Sequence, residues 1–235
     1  MNRKTAIITG ATKGIGKALA YQFLKNGYDI SICARTLKDL EDLKEVWTNE
    51  FPNQTIMIAV ADFENEASVS SFAQLSIDTF KHIDILINNA GIFLPGTVLE
   101  EPFDSFNKQM LVNVNSSYIM SRIIASNMQQ RKSGHIFNIC SVASIAAYAG
   151  GTSYGISKYA MLGMSDNFRE ALKPFKVKVT AVLPGPTQSF SWEGTGIDFE
   201  KLMPAEDLAH LIYQCSQISF NVCVDKLVIT PCLDL

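Results

Sequence analysis

Histidine is scarce in this chain. His82, His135 and His210 are the only three, and they lie far apart in sequence. A zinc site built on short His/Cys spacings is therefore not expected, and no metal is assigned. The cysteines, Cys33, Cys140, Cys215, Cys223 and Cys232, are odd in number and contain no Cys-x-x-Cys pair. That argues for buried, reduced thiols rather than a disulfide framework. Cys140 has no histidine beside it and sits in an apolar strand pattern, so a cysteine nucleophile is not expected either. Charge is thin as well: 18% of residues, a net −3, with Lys and Arg scattered rather than clustered. Neither a nucleic acid nor an anionic membrane is an expected partner. No apolar run is long enough to cross a bilayer. The opening MNRKTAIITG has basic residues but only a short apolar run before glycine. It reads as a first strand rather than a secretion signal, and the expected location is the cytoplasm.

What the chain does have is apolar material, 47% of 235 residues, enough for one α/β domain with a large core. Short apolar runs read as strands at TAIIT (5–9), DISICA (29–34), TIMIAV (55–60), DILIN (84–88), HIFNIC (135–140), VKVTAVL (177–183) and KLVIT (226–230). Helical patterns fall between them: 14–27, 36–51, 65–80, a long region at 103–131, 153–172 and 204–217. Strands that alternate with helices and are apolar throughout predict a parallel sheet covered on both faces. Right-handed crossovers then give a doubly wound Rossmann-type α/β fold of about seven strands. No linker, repeat or charge block divides the chain. A single domain over 1–235 is expected, with a substrate loop at about 186–203.

In such a sheet ligands bind at the carboxyl ends of the strands, near the point where strand order reverses. The first strand runs into Thr9-Gly10-Ala11-Thr12-Lys13-Gly14-Ile15-Gly16. Glycines let backbone approach a pyrophosphate closely, and a helix opening near Gly14 offers unpaired N–H groups and a positive dipole end. The spacing G-x-x-x-G-x-G differs from the G-x-G-x-x-G fingerprint, and a tight βα connection would use similar residues. At the far end of the second strand stands Arg35, with no acid beside it, and Lys13 adds a second positive charge. A guanidinium suits the 2′-phosphate of NADP, where a carboxylate would bond the ribose of NAD. Asp29 begins that strand, at the wrong edge, and reads as a turn residue.

Tyr154 and Lys158 are four apart in a helical pattern, which puts both on one face. A neighbouring ammonium favours a phenolate. Ser141 closes the preceding strand, where its hydroxyl can orient a substrate oxygen.

Taken together, TGATKGIG, Asn88-Asn89-Ala90-Gly91 after the fourth strand, Ser141, Tyr154-x-x-x-Lys158 and Pro184-Gly185 resemble the short-chain dehydrogenase/reductase family over nearly the whole chain. The resemblance implies hydride transfer between NADP(H) and a carbonyl or alcohol. In that scheme Tyr154 is general acid or base, Lys158 holds the nicotinamide ribose, and Ser141 polarises the substrate oxygen. Asn113, in LVNVN, takes the fourth catalytic position in preference to Asn115 and helps hold a proton-relaying water. Asp62 accepts from the adenine amino group; Asn89, Ala90 and Gly91 line the adenosine and ribose side. Backbone from Pro184 to Thr187 meets the carboxamide, with either Thr187 or Ser189 as hydroxyl partner, since PGPTQS departs from the family's usual run. A homodimer or homotetramer is implied.

Phe190, Trp192, Ile197 and Phe199 are candidate lid residues over an apolar pocket shared with Phe93, Ile145 and Tyr148. No cationic cluster marks the mouth, so the expected substrate is a small or medium apolar ketone, an aldehyde or a 3-oxoacyl group. The alternative function is a catalytically silent NADP-binding sensor or scaffold. A sugar-nucleotide epimerase or dehydratase is a third reading, weakened by the short C-terminal region.

Overall fold

One parallel sheet organises the computed structural model, which describes residues 3–189, 196 and 198–232. Its strands are β1 (Thr5–Thr9), β2 (Asp29–Ala34), β3 (Ile56–Val60), β4 (Ile85–Asn88), β5 (Gly134–Ile139), β6 (Val177–Pro184) and β7 (Lys226–Ile229). They lie in the order β3-β2-β1-β4-β5-β6-β7, every neighbouring pair parallel. Helices fill the crossovers: α1 (Gly14–Lys25), α2 (Leu37–Glu50), α3 (Glu66–Phe80), α4 (Phe103–Gln109), α5 (Ser116–Arg131), α6 (Thr152–Leu172) and α7 (Ala205–Gln217). The expected doubly wound sheet of seven strands is the fold that forms.

The sheet is sealed on both faces because its strands are apolar on both. In β1, Ala6 and Ile8 face the cluster that holds Leu19 and Phe23 of α1 and Leu208 of α7. Ile7, between them, faces the cluster that holds Phe72 of α3 and Ile124 of α5. This is the period of two of a strand, read through a fully buried run. Each such Ile or Leu is wholly buried, which stabilises the fold by about 1.5–3 kcal/mol per side chain.

Three expectations change in detail. The long helix at 103–131 is continuous in direction but not in winding: residues Met110–Asn115 form a π-helical turn between α4 and α5. Side-chain bonds there compete with the regular ladder. Ser116 Oγ donates to the Val112 carbonyl at 2.6 Å and Ser117 Oγ to the Asn113 carbonyl at 3.2 Å. The fifth strand stops at Ile139 rather than Cys140, because the Cys140 N–H donates to the Asn138 and Val182 carbonyls as the chain turns. Of the five thiols only Cys33 and Cys140 are buried; Cys215 and Cys223 are half-buried and Cys232 is exposed.

β1 and β4 are neighbours with their crossovers going opposite ways, so a crevice opens above their carboxyl ends.

Candidate active site

That crevice is a cleft of about 900 Å³. Its floor begins at the turn after β1. Gly10 has a φ of 65° and Gly14 a φ of 49°, left-handed values that glycine adopts at little cost. A Cβ on Gly16 would overlap the Gly10 carbonyl oxygen, so the turn and the first coil of α1 close on each other only without a side chain there. The turn is then laced to β4. Asn89 Nδ2 donates to the Thr9 and Gly10 carbonyls at 2.9 and 3.1 Å. Thr9 Oγ1 accepts from the Asn89 and Ala90 N–H groups, both at 2.9 Å. The α1 N-terminus has no side-chain cap, which leaves its N–H groups for an anion.

At the end of β2 the wall is made by Arg35, Lys13, Thr36 and Asp39. Arg35 has no ion pair among the described residues. Past β3, Asp62 and Phe63 line the same end. The Asp62 carboxylate also accepts from the Glu64 N–H at 3.0 Å, which fixes its direction.

The other end holds Ser141, Tyr154 and Lys158. Tyr154 is the third residue of α6, and Lys158 lies one turn on. The lysine Nζ sits 5.6 Å from the centre of the Tyr154 ring and donates to the Ile139 carbonyl at 2.8 Å. Lys158 is buried, so its ammonium is held rather than splayed into solvent. Phe93 packs edge-on against the Tyr154 ring, 5.0 Å between centroids. Ser141 opens a short turn in which its Oγ accepts from the Ala143 N–H at 3.1 Å. That bond fixes the oxygen as acceptor there and leaves its proton to donate elsewhere.

Asn113 does not line the cleft. It is fully buried in the π-helical turn, behind Gly91 and Ile92. Its Oδ1 accepts from the Ile92 N–H at 2.8 Å; its Nδ2 donates to the Ile92 carbonyl at 3.0 Å and to Ser157 Oγ at 2.9 Å. Ser157 in turn donates to the Tyr154 carbonyl at 2.7 Å. Asn113 therefore ties the strand end after β4 to the tyrosine helix. A Cβ on Gly91 would stand 3.2 Å from Asn113 Oδ1 and 3.8 Å from Lys158 Nζ, so glycine keeps that space open. Asn115 points elsewhere, to Glu66 at 2.8 Å.

Gly10, Thr12, Lys13, Gly14, Ile15 and Gly16 all reach the cleft, as do Ala90, Gly91, Pro184, Gly185 and Thr187. Thr187 Oγ1 donates back to the Gly185 carbonyl at 2.9 Å, and Ser189 packs against Gly14. Of the suggested pocket residues, Phe93 and Tyr148 line the cleft, while Ile145 and Phe199 are half exposed and do not. Val142, Ala146, Ala147 and Pro186 stand in their place. Phe190, Trp192 and Ile197 lie outside the described residues. Burial pushes the Cys140 thiol up to about 11, against the pull of the Lys158 ammonium, so it stays protonated near neutral pH. Tyr148 is pushed up to about 12, by desolvation first and then by Tyr154, which keeps it a neutral donor beside the site.

Sequence reasoning missed Glu101 and Ser157. Glu101 reaches across from the segment before α4 and accepts from Ser153 Oγ at 2.5 Å and the Ser153 N–H at 3.3 Å, at the open end of α6. A Ser at helical spacing and a loop glutamate carry no signal of such contacts.

Comparison with known proteins follows the same lines. A family model described as short chain dehydrogenase matches residues 4–196. The chain is similar to a sepiapterin reductase of Chlorobaculum tepidum, 28% identical over 234 residues, covering 96% of this chain and 95% of that protein. Among solved structures it is similar to ElxO with NADP bound, at 26% identity and a TM-score of 0.88, covering 97% of both chains. It is also similar to a closed serine dehydrogenase complexed with NADP+, at 27% identity and a TM-score of 0.85, covering 95% of this chain and 93% of the other.

Proposed function

This chain belongs to the short-chain dehydrogenase family, and from that premise we propose that it is an NADP(H)-dependent oxidoreductase of a carbonyl/alcohol pair, with Tyr154 as its acid and base. The observation that carries the reading is the placement of Ser141, Tyr154 and Lys158 in one cleft with the glycine turn and Arg35. The residues fit the cofactor: a left-handed Gly10–Gly14 turn opens onto uncapped helix N–H groups, and the Arg35 guanidinium, with no ion pair among the described residues, stands where a 2′-phosphate would lie. The similar NADP-bound structures agree with that.

When bound, NADPH supplies the hydride. Lys13 and Arg35 hold the adenosine phosphate, and Asp62 accepts from the adenine. Asn89, Ala90 and Gly91 shape the adenosine and ribose side, and Pro184 to Thr187 the nicotinamide side. Ser141 donates to the substrate carbonyl oxygen, which draws electron density from the carbon. Tyr154 gives that oxygen its proton as negative charge develops there, or takes it in the reverse direction. The Lys158 ammonium stabilises the charge left on the phenol oxygen. Asn113 holds Ser157 and the strand end in register behind them. The wall of Phe93, Val142, Ala146 and Tyr148 supports an apolar ketone, aldehyde or 3-oxoacyl substrate.

The whole chain then acts as one catalytic domain with a substrate loop at about 186–203, placed in the cytoplasm. The apolar side chains exposed on α4 to α6, among them Phe103, Phe106, Tyr118 and Tyr159, support pairing into a homodimer or homotetramer. Purified protein offered a panel of carbonyl compounds should oxidise NADPH faster than NADH. Cofactor binding without turnover across the panel would leave only the silent sensor; no binding would remove both readings.

A further inference from the structure

The substrate end of the cleft has few protons to offer. The hydroxyl side chains that line it are Ser141, Tyr148, Tyr154, Thr187 and Ser189. Thr187 Oγ1 is committed to the Gly185 carbonyl, and Ser189 packs against Gly14 in the glycine turn. In the proposed reaction Ser141 and Tyr154 both serve the reacting oxygen. Tyr148 is left over. It is 47% exposed, and its hydroxyl makes no hydrogen bond among the described residues.

That hydroxyl is nevertheless seated. A Cβ on Gly151 would overlap the Tyr148 phenol oxygen, so the end of the ring occupies the space that glycine leaves. Gly151 is pinned in turn by its bridge to Gly96. The Gly96 N–H donates to the Gly150 carbonyl at 2.9 Å, and the Thr152 N–H to the Gly96 carbonyl at 3.3 Å. Gly151 immediately precedes α6, whose third residue is Tyr154. One helix start therefore sets both phenols, and their relative position is fixed. Desolvation first, and Tyr154 second, push the Tyr148 pKa up to about 12, so its proton stays on at neutral pH.

Charge narrows what this donor can meet. Among the described residues Lys158 is the one cation at this end, and its Nζ is bound to the Ile139 carbonyl; Lys13 and Arg35 line the adenosine end. Phe93, Val142 and Ala146 make the rest of the wall apolar. A carboxylate beside Tyr148 would lose water without gaining a counter-charge. An uncharged carbonyl or ester oxygen needs only the one donor.

We infer that Tyr148 is a second substrate-binding hydroxyl, donating to an uncharged oxygen that the substrate carries close to its reacting carbonyl, and that 3-oxoesters and diones are preferred to simple ketones. This rests on the oxidoreductase reading and narrows its substrate. The probe is ethyl 3-oxobutanoate. Its control is 2-heptanone, of the same chain length without the second oxygens, and 3-oxobutanoate is the charged arm. With NADPH the wild type should reduce the ester best of the three. In Tyr148→Phe, which keeps the ring on Gly151, the ratio of kcat/KM for the ester to that for 2-heptanone should fall about three- to tenfold, the usual contribution of one neutral hydrogen bond. Comparing ratios cancels the unequal reactivity of the two ketones, and the loss should lie in KM rather than kcat. Calorimetric titration of the ester into the NADP+ complex, where no hydride is available, should show the same loss. Absent turnover of every carbonyl would remove the oxidoreductase reading, while this titration still decides the role of Tyr148. An unchanged ratio, an unchanged ester affinity in Tyr148→Phe, no ester bound by the wild-type NADP+ complex, or better reduction of 2-heptanone or 3-oxobutanoate than of the ester would each overturn the inference.

Discussion

At Tyr154 one atom separates a proton donor from an inert ring. Tyr154→Phe keeps the edge-on contact with Phe93 and the neighbourhood of Lys158, and removes only the hydroxyl. Turnover should fall by roughly 10²–10⁴, the usual contribution of a positioned acid or base, while NADPH affinity measured by fluorescence titration stays within about twofold. Unaltered turnover would remove Tyr154 from the mechanism. Arg35 is a different kind of residue, since it would act on binding rather than on the reacting bond. A hydrogen bond to a charged group contributes about 1.5–3 kcal/mol, so Arg35→Ala should weaken NADPH roughly 10–100-fold and NADH little. Equal losses for the two cofactors, in parallel titrations, would refute its phosphate role. Arg35 was a candidate in the sequence because it stands at the far end of the second strand, and Tyr154 because of its four-residue spacing to Lys158. Glu101 was not, since its target, Ser153, is 52 residues away.

At the scale of elements, the position of the reacting groups depends on one helix. α6 begins at Thr152 after Gly151, with no capping side chain of its own. Glu101 supplies the missing acceptor, and a carboxylate at a helix N-terminus also meets the positive end of the dipole. Glu101→Ala should cost about 1 kcal/mol, the usual value of an N-cap, read as a lower urea midpoint with unchanged slope. The variant should also lower kcat several-fold, and Glu101→Gln, which keeps an acceptor, should recover part of both. Stability and kcat both equal to wild type in the alanine variant would show that the helix is held elsewhere. The π-helical turn is the companion device. By shifting the winding at Met110–Asn115 it turns the Asn113 side chain onto the backbone of Ile92 and onto Ser157. The sequence gives the long helix its period but not this change of winding, whose Asn113 partners lie in the segment after β4 and on α6, far off in the chain.

For the molecule as a whole, acid sensitivity should begin at the buried His135. Burial holds its pKa well below the ordinary value, with the Lys178 charge acting the same way. The unfolded chain binds a proton near pH 6.5, whereas the folded one resists it. Below about pH 6.5 the unfolded state therefore takes up more protons, and stability falls as pH falls, by up to about 1.4 kcal/mol per pH unit from this group until the folded-state pKa is reached. Urea unfolding at pH 7.5 and 5.5 should show this loss in the wild type and a shallower one in His135→Phe. Identical pH slopes in the two proteins would exclude His135 as the source.

The sequence by itself determined the alternation of strands and helices, the sheet's burial on both faces and the family. These follow from local periodicity and from motifs that sit at strand ends, and they need no knowledge of distant partners. It also named many of the residues that line the cleft, among them the glycine turn, Arg35, Asp62, Ser141, Tyr154 and Lys158, while Asn113, Ile145 and Phe199 do not line it. Only the tertiary structure decided that Asn113 stands behind the cleft rather than in it and that Glu101 caps the tyrosine helix. Each of these depends on a contact between residues far apart in the chain, and such contacts are fixed by strand order and packing, for which local periodicity carries no signal.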